Sequence, residues 1–293
     1  LEQAYLTTSS LPWELEVRLG RYLMPFSKQN TTHRHDLHTV EYPYVLQRYL
    51  GPEGLKGTGI SVSRIFAPFG FYQELLVSVN DRFGEAPEEL TTSRPVNEDL
   101  DGLTYTARLR NYWDLSSAAN VELSASALTA LVEQPVTGAA GEVNAAASRQ
   151  TMWGVDLTYR WRPPRQGLYR SFILQAEVLQ QHNRRPGELP PPAPGDQVVY
   201  DGLAGTLTGG YVFARYQLGR RTFVGARFDT LDDPEFGGAR TEAASAYWQF
   251  YPSEFSKLMA AFERVRFPGG AGAANRILLQ ATFALGPHRP HPF

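Results

Sequence analysis

Three of the six histidines in this 293-residue chain fall within six positions, His33, His35 and His38, and Asp36 lies among them. Neutral imidazoles ligate zinc, copper or nickel, and a carboxylate completes or orients such a set. The spacing matches no helical HExxH element, so these residues also read as polar loop groups that hydrogen-bond an inward-folded segment. Zinc is the candidate ion of the first reading. The second implies no cofactor. His288 and His291, in the terminal LGPHRPHPF, read as part of a proline-stiffened end on the opposite side of the fold.

A second group of charged residues is arranged by phase. Arg18, Arg108, Arg110, Arg160, Arg162, Arg215 and Arg227, with Glu14, Glu16, Asp156 and Asp229, occupy the polar phase of segments whose other phase is apolar. Glu74, Glu122, Glu177, Glu263, Arg266 and Arg276 are assigned the same phase. If the apolar phase meets lipid, these charges line a lumen. Their signs nearly cancel, which implies salt-bridged walls and a narrow or weakly selective path instead of a one-sided basic ladder. The sequence carries no GxSxG, P-loop, GxGxxG or HExxH motif and no cysteine, so it reads as a non-enzyme. Gly269 to Gly272 read as a hairpin connection, and Pro186 to Pro194 as a solvent-exposed spacer.

The elements that must position these groups alternate with a period of two. From Trp153 to Arg162 the odd positions are Trp, Val, Leu, Tyr and Trp, while the even ones are Gly, Asp, Thr, Arg and Arg. Similar splits mark 13–22 and 103–110 and, with weaker contrast, 121–128, 222–229, 244–251 and 276–285. In 59–67 and 258–267 the phase falters, notably at Glu263 and Arg264, and a bulge is the expected remedy. Thirteen strands follow: about 2–8, 13–23, 58–67, 71–80, 101–113, 119–131, 150–162, 169–182, 201–217, 221–230, 240–251, 256–267 and 275–286. Helices are essentially absent. Tight connections near 9–12, 68–70, 114–118, 163–168, 218–220 and 252–255 alternate with longer ones near 24–57, 81–100, 132–149, 183–200, 231–239 and 268–274. Many segments reach the roughly 9–11 residues of a tilted membrane-spanning strand, well beyond the usual 5–6 of soluble sheets. Trp13, Tyr112, Trp113, Trp153, Trp161, Trp248, Tyr251 and Phe267 near strand ends read as interfacial girdles.

The fold class is therefore all-β: one antiparallel transmembrane β-barrel over 1–293 with about 12–16 strands, short periplasmic turns and long extracellular loops. Thirteen is odd, and bacterial single-chain barrels normally have even numbers, so a strand is expected to precede Leu1. The 24–57 segment is too long for a bare hairpin, and its TVEYPYVLQRYL stretch is apolar enough to anchor it inward or at the rim. Composition agrees: mean hydropathy is −0.33 and no apolar run approaches the ~18 residues of a membrane helix. A net charge of −2 excludes a strongly basic nucleic-acid surface, and only three of 28 basic residues are lysines.

The segment EQAYLTTSSLPWELEVRLGRYLMPFSKQN resembles the early strands of porin-like outer-membrane proteins loosely related to phosphate-selective porins. Asn30, His33, His35, Pro43, the run Leu50-Gly51-Pro52-Glu53-Gly54-Leu55, Gly59 and the terminal LGPHRPHPF resemble a Gram-negative family labelled zinc-regulated TonB-dependent outer-membrane receptors. The resemblance implies an outer-membrane barrel in a Gram-negative bacterium, with the lipid bilayer and lipopolysaccharide as surroundings and small polar solutes as cargo. A passive porin-like channel is the expected function. The alternatives are a metal-binding receptor using the histidine loop, or a structural or adhesive barrel whose loops bind a partner. An oligomer or a periplasmic partner is compatible with all three.

Overall fold

Alternating side chains let a strand keep one face in hydrocarbon and the other in a polar interior, and that pattern governs the architecture. The computed structural model describes residues 3–81, 100–137, 143–183, 205–270 and 272–284. Among them are thirteen strands: β1 (Ala4–Leu11), β2 (Leu15–Leu23), β3 (Lys56–Phe66), β4 (Tyr72–Asn80), β5 (Thr104–Ser116), β6 (Ala119–Thr137), β7 (Val143–Trp161), β8 (Phe172–Asn183), β9 (Gly205–Gly219), β10 (Thr222–Asp233), β11 (Ala239–Ser253), β12 (Ser256–Arg266) and β13 (Ala273–Phe283). Each pairs antiparallel with its chain neighbours, in the order β1 to β13. The two edges, β1 and β13, are not paired with each other among the described residues. Connections at one end are mostly short, such as the 3₁₀ turn Pro12–Glu14 or residues 117–118, with 162–171 the longest; at the other end three are long, 24–55, 81–103 and 184–204, while those after β6, β10 and β12 are short. No helix among the described residues is long and apolar enough to cross a membrane.

Burial is inverted relative to a soluble domain. Leu6, Leu19, Ile60, Val77, Val155, Val212, Phe262, Ile277 and Leu279 are exposed on the outer face, whereas Arg108, Asp156, Glu177, Arg227, Asp229 and Glu263 are buried on the inner one. Charged side chains are almost never buried without partners. Here the inner face supplies those partners, and the outer face is an apolar belt.

The structure differs from the sequence reading in five places. The 132–149 stretch is not a loop: β6 and β7 continue pairing to Thr137↔Val143, although their alternation fades there. One α-helix exists, α1 (Tyr44–Leu50), inside the long connection after β2. No register shift interrupts β3 through Gly59–Phe66 or the ladder of β12 with β13 through Ser256–Arg266; on its other side β12 meets one shift, between Phe250 and Ser253 of β11. Glu263 therefore faces inward beside Arg276, while Arg264 and Arg266 face outward, so Arg266 leaves the lumen set. Tyr112 and Tyr251 belong to the inner face, where Tyr112 opposes Glu122 and Tyr251 packs edge-on against Phe223 at 5.5 Å. Trp113, Trp153, Trp161 and Trp248 do lie on the outer phase. His288, His291, the 186–194 spacer and most of the 81–100 and 183–200 connections lie outside the described residues.

Candidate functional site

The chain between β2 and β3, residues 24–55, folds into the hollow of the sheet. Its neck is tied by the Met24 amide donating to the Leu55 carbonyl at 3.0 Å. The Asn30 amide group reinforces the tie, donating to the Met24 and Leu55 carbonyls and accepting from the Leu55 N–H at 2.6 Å. Gly54 completes the neck at φ +76°, where a Cβ would stand 2.8 Å from Asn30 Oδ1; only glycine combines that backbone with that approach. Beyond the neck the apolar side chains Phe26, Leu37, Val45, Leu46 and Leu50 are buried against Leu128, Met152, Leu179, Leu207, Phe213 and Leu231 of the wall. This is the hydrophobic core of the molecule, and it lies inside the barrel.

Polar contacts fix the loop to one side of the wall. Entering the hollow, the Ser27 amide donates to Ser126 Oγ, the Lys28 ammonium meets Glu122 at 2.6 Å, and Gln29 donates to Gln175. Farther on, Lys257 donates to the His35 and Leu37 carbonyls at 2.5 and 3.1 Å. Gln249 donates to the His38 carbonyl. Arg227 donates to the Glu41 carbonyl at 2.8 Å, and Arg276 to the Glu41 carboxylate at 3.1 Å. At the start of α1, the Tyr44 amide donates to Asp229 and its phenol to Glu263, both at 3.0 Å. Burial beside the Glu263 carboxylate pushes the Tyr44 phenol well above its usual range, so it remains a donor. Arg48 at the helix end pairs with Glu235. Each of these wall partners lies on or beyond β6.

The wall formed by β1–β5 is left free of these contacts, and a cavity of about 690 Å³ separates it from the loop. Arg18, Glu16, Ser61, Ser63, Glu74 and Arg110 line the wall side, and Lys28, His33 and Asp36 the loop side.

Nine of the eleven charges assigned to the lumen stand on the inner face: Glu16 and Arg18 on β2, Arg108 and Arg110 on β5, Asp156 and Arg160 on β7, Arg215 on β9, and Arg227 and Asp229 on β10. Glu14 and Arg162 sit on short turns instead, Arg162 donating to the Gly167 carbonyl. Alternation gives a residue's face but not where its strand ends. The histidines are divided. His33 and His35 stack at 5.2 Å, with His35 Nε2 3.6 Å from Asp36, whereas Nδ1 of His38 lies 2.7 Å from Nη1 of Arg215. Arginine only donates, so His38 accepts and is neutral. Burial, then the Arg215 and Lys257 charges, hold its pKa well below the ordinary histidine value. Among the described residues no three His, Asp or Glu side chains converge as a metal would require. Lys28, Glu41 and Lys257 carry no signal along the chain, because their partners are 94, 235 and about 220 residues away.

The structure of OprB from Pseudomonas putida, solved at high pH, superposes on 96% of this chain and 71% of its own with a TM-score of 0.58, at 10% sequence identity. The fold is that of a porin-like β-barrel. No family model matches the barrel's sequence. An uncharacterized protein of Aquifex aeolicus (strain VF5) is 26% identical over 320 aligned residues. That alignment takes in the whole of this chain, which spans 63% of the length of the Aquifex relative.

Proposed function

We propose that this porin-like barrel is a passive diffusion channel for small polar solutes in the outer membrane of a Gram-negative bacterium. The observation that carries the reading is the polar cavity between the 24–55 loop and the β1–β5 wall, enclosed by a sheet whose outer belt is apolar. A solute is offered hydroxyls and half-exposed charges along one side and the loop along the other. Polar linings of that kind exchange solvation without binding tightly enough to stop passage. Ion pairs and apolar packing set the loop's position, and the loop sets the width of the path. Lipid and lipopolysaccharide cover the belt. The reading needs neither cofactor nor catalytic step.

Reconstitution of the full-length chain into planar bilayers is expected to give stepwise ionic conductance, and liposomes carrying it are expected to swell in small neutral sugars. A correctly folded barrel that conducts nothing where a control porin does, and admits no sugar, overturns the reading.

A further inference from the structure

The near balance of charge along the chain conceals how the charges are presented. Around Glu122 on β6 three cations converge: Lys28 of the loop at 2.6 Å, Arg110 of β5 at 3.4 Å and Arg160 of β7 at 3.4 Å. Glu74 on β4 holds the far side of Arg110 at 2.5 Å. Three positive groups thus face two carboxylates. The carboxylates are the inner members, since the side chains of Glu122 and Glu74 are 3% and 13% exposed while those of Arg110 and Arg160 keep 34% and 35%. A passing solute meets the guanidinium groups first, and the charge nearest the path dominates the field it feels.

Elsewhere along the cavity the cations are matched. Arg108 is buried on Asp156 at 2.8 Å, Arg18 lies 3.4 Å from the equally open Glu16, and Asp36 at the loop side stands beside His35. Along this cavity the surplus is therefore confined to the level of Glu122; Arg215 and Lys257, farther around the wall, are buried against the loop. Arg110 also borders a second cavity, of about 620 Å³, toward the short-turn end, lined by Tyr72, Tyr112 and Asp114. Its guanidinium is thus shared by the two cavities.

We infer that Lys28, Arg110 and Arg160, gathered on the buried Glu122, are the specificity-determining residues of the path and make it prefer small anions over cations. The assignment rests on the channel reading. It differs from what residue counts along the sequence indicate, because one carboxylate shared by three cations cannot neutralise them all.

The test is the reversal potential of the full-length channel in a potassium chloride gradient, run beside liposome swelling with a neutral sugar. The wild type is expected to favour chloride. Arg110→Gln and Arg160→Gln are each expected to lower the chloride-to-potassium permeability ratio about twofold, the order expected for one charge about a Debye length, ~8 Å, from the path once salt screening is counted. Glu122→Gln should raise the ratio. Because that change strips three cations of their shared partner and endangers folding, the half-exposed Arg160 carries the decisive measurement. A cation-leaning or unselective barrel that still admits sugar overturns the assignment and leaves the channel reading standing. So does a ratio unmoved by both arginine variants. A barrel that passes neither ions nor sugar overturns both.

Discussion

Arg18 and Arg227 occupy the same phase of the same sheet, yet they live in different media. Arg18, on the β1–β5 side, borders the cavity, lies over the Tyr5 ring at 4.6 Å and has Glu16 as a loose neighbour. Arg227, on the β6–β13 side, is buried, with Asp229 at 2.7 Å, Glu263 at 3.5 Å and the loop carbonyl of Glu41 at 2.8 Å. The sheet gives both arginines an inward direction, and the loop decides what each one does. Against the loop a wall charge is a structural clamp; away from it, the charge borders an open cavity. The difference teaches that inner-face charges in such a barrel divide into two populations, and that their division follows the docking of one segment.

The sharpest way to break the contrast is to remove that segment. Replacing residues 26–53 by a short Gly/Ser link should make both halves of the wall face open lumen and raise single-channel conductance several-fold, as planar-bilayer recording would show. An unchanged conductance would mean that the loop does not set the path's width.

A smaller effect is expected from Glu263→Ala. This carboxylate accepts from the Tyr44 phenol, pairs with Arg227 and holds Arg276 at 2.5 Å. Its loss leaves a buried guanidinium and the α1 anchor without their shared acceptor, a defect that costs on the order of 3 kcal/mol. A lower unfolding midpoint in detergent, with noisier open-channel current, is the expected outcome; the same substitution at half-exposed Glu16 should shift the midpoint by less than about 1 kcal/mol.

The mildest effect is set by pH. In the docked loop His38 is neutral and faces Arg215 of β9, Lys257 of β12 and Arg160 of β7, while Gln249 and Phe213 are its uncharged neighbours and Asp36 flanks Lys257. An undocked His38 would take up a proton as pH falls through about 6.5, whereas the docked one resists it. Docking is therefore at full strength above that value and weakens below it, by up to about 1.4 kcal/mol per pH unit until the docked histidine titrates too. Conductance noise should grow between pH 7 and 5 in the wild type and stay flat in His38→Gln. Noise that grows equally in both would assign the response to another group.

Much of the architecture was legible because it rests on local signals. A strand of ten residues repeats its in-out choice five times, so β5, β7 and β10 declare both their existence and their faces, and thirteen alternating segments became thirteen strands. What alternation cannot carry is an endpoint or a distant partner. Hence Glu14 and Arg162 slipped onto turns, and β6 and β7 outran their pattern; Tyr112, in phase with Arg108 and Arg110, follows the alternation inward and not its nearness to a strand end. The loop was marked by its length and its aromatic TVEYPYVLQRYL stretch. Nothing in the order of residues says that Lys28 meets Glu122 or that His38 meets Arg215, since those meetings depend on the curvature of the whole sheet. Pairing is also invisible to a count of signs, which is why a lumen that looks balanced along the sequence presents a surplus at Glu122.

The loop also has a mechanical meaning. Strands that pair only with their chain neighbours can zip in succession, each step closing a short stretch of chain, but nothing in that ladder fixes how tightly the strip bends. The segment that departs from β2, near one margin, and grips Arg276 on β13, at the other, is a chord drawn across an arc. It joins residues 235 positions apart, so its fastenings are the slowest contacts to assemble and form only once the strip has rolled up. From then on the chord resists both flattening and further coiling of the strip.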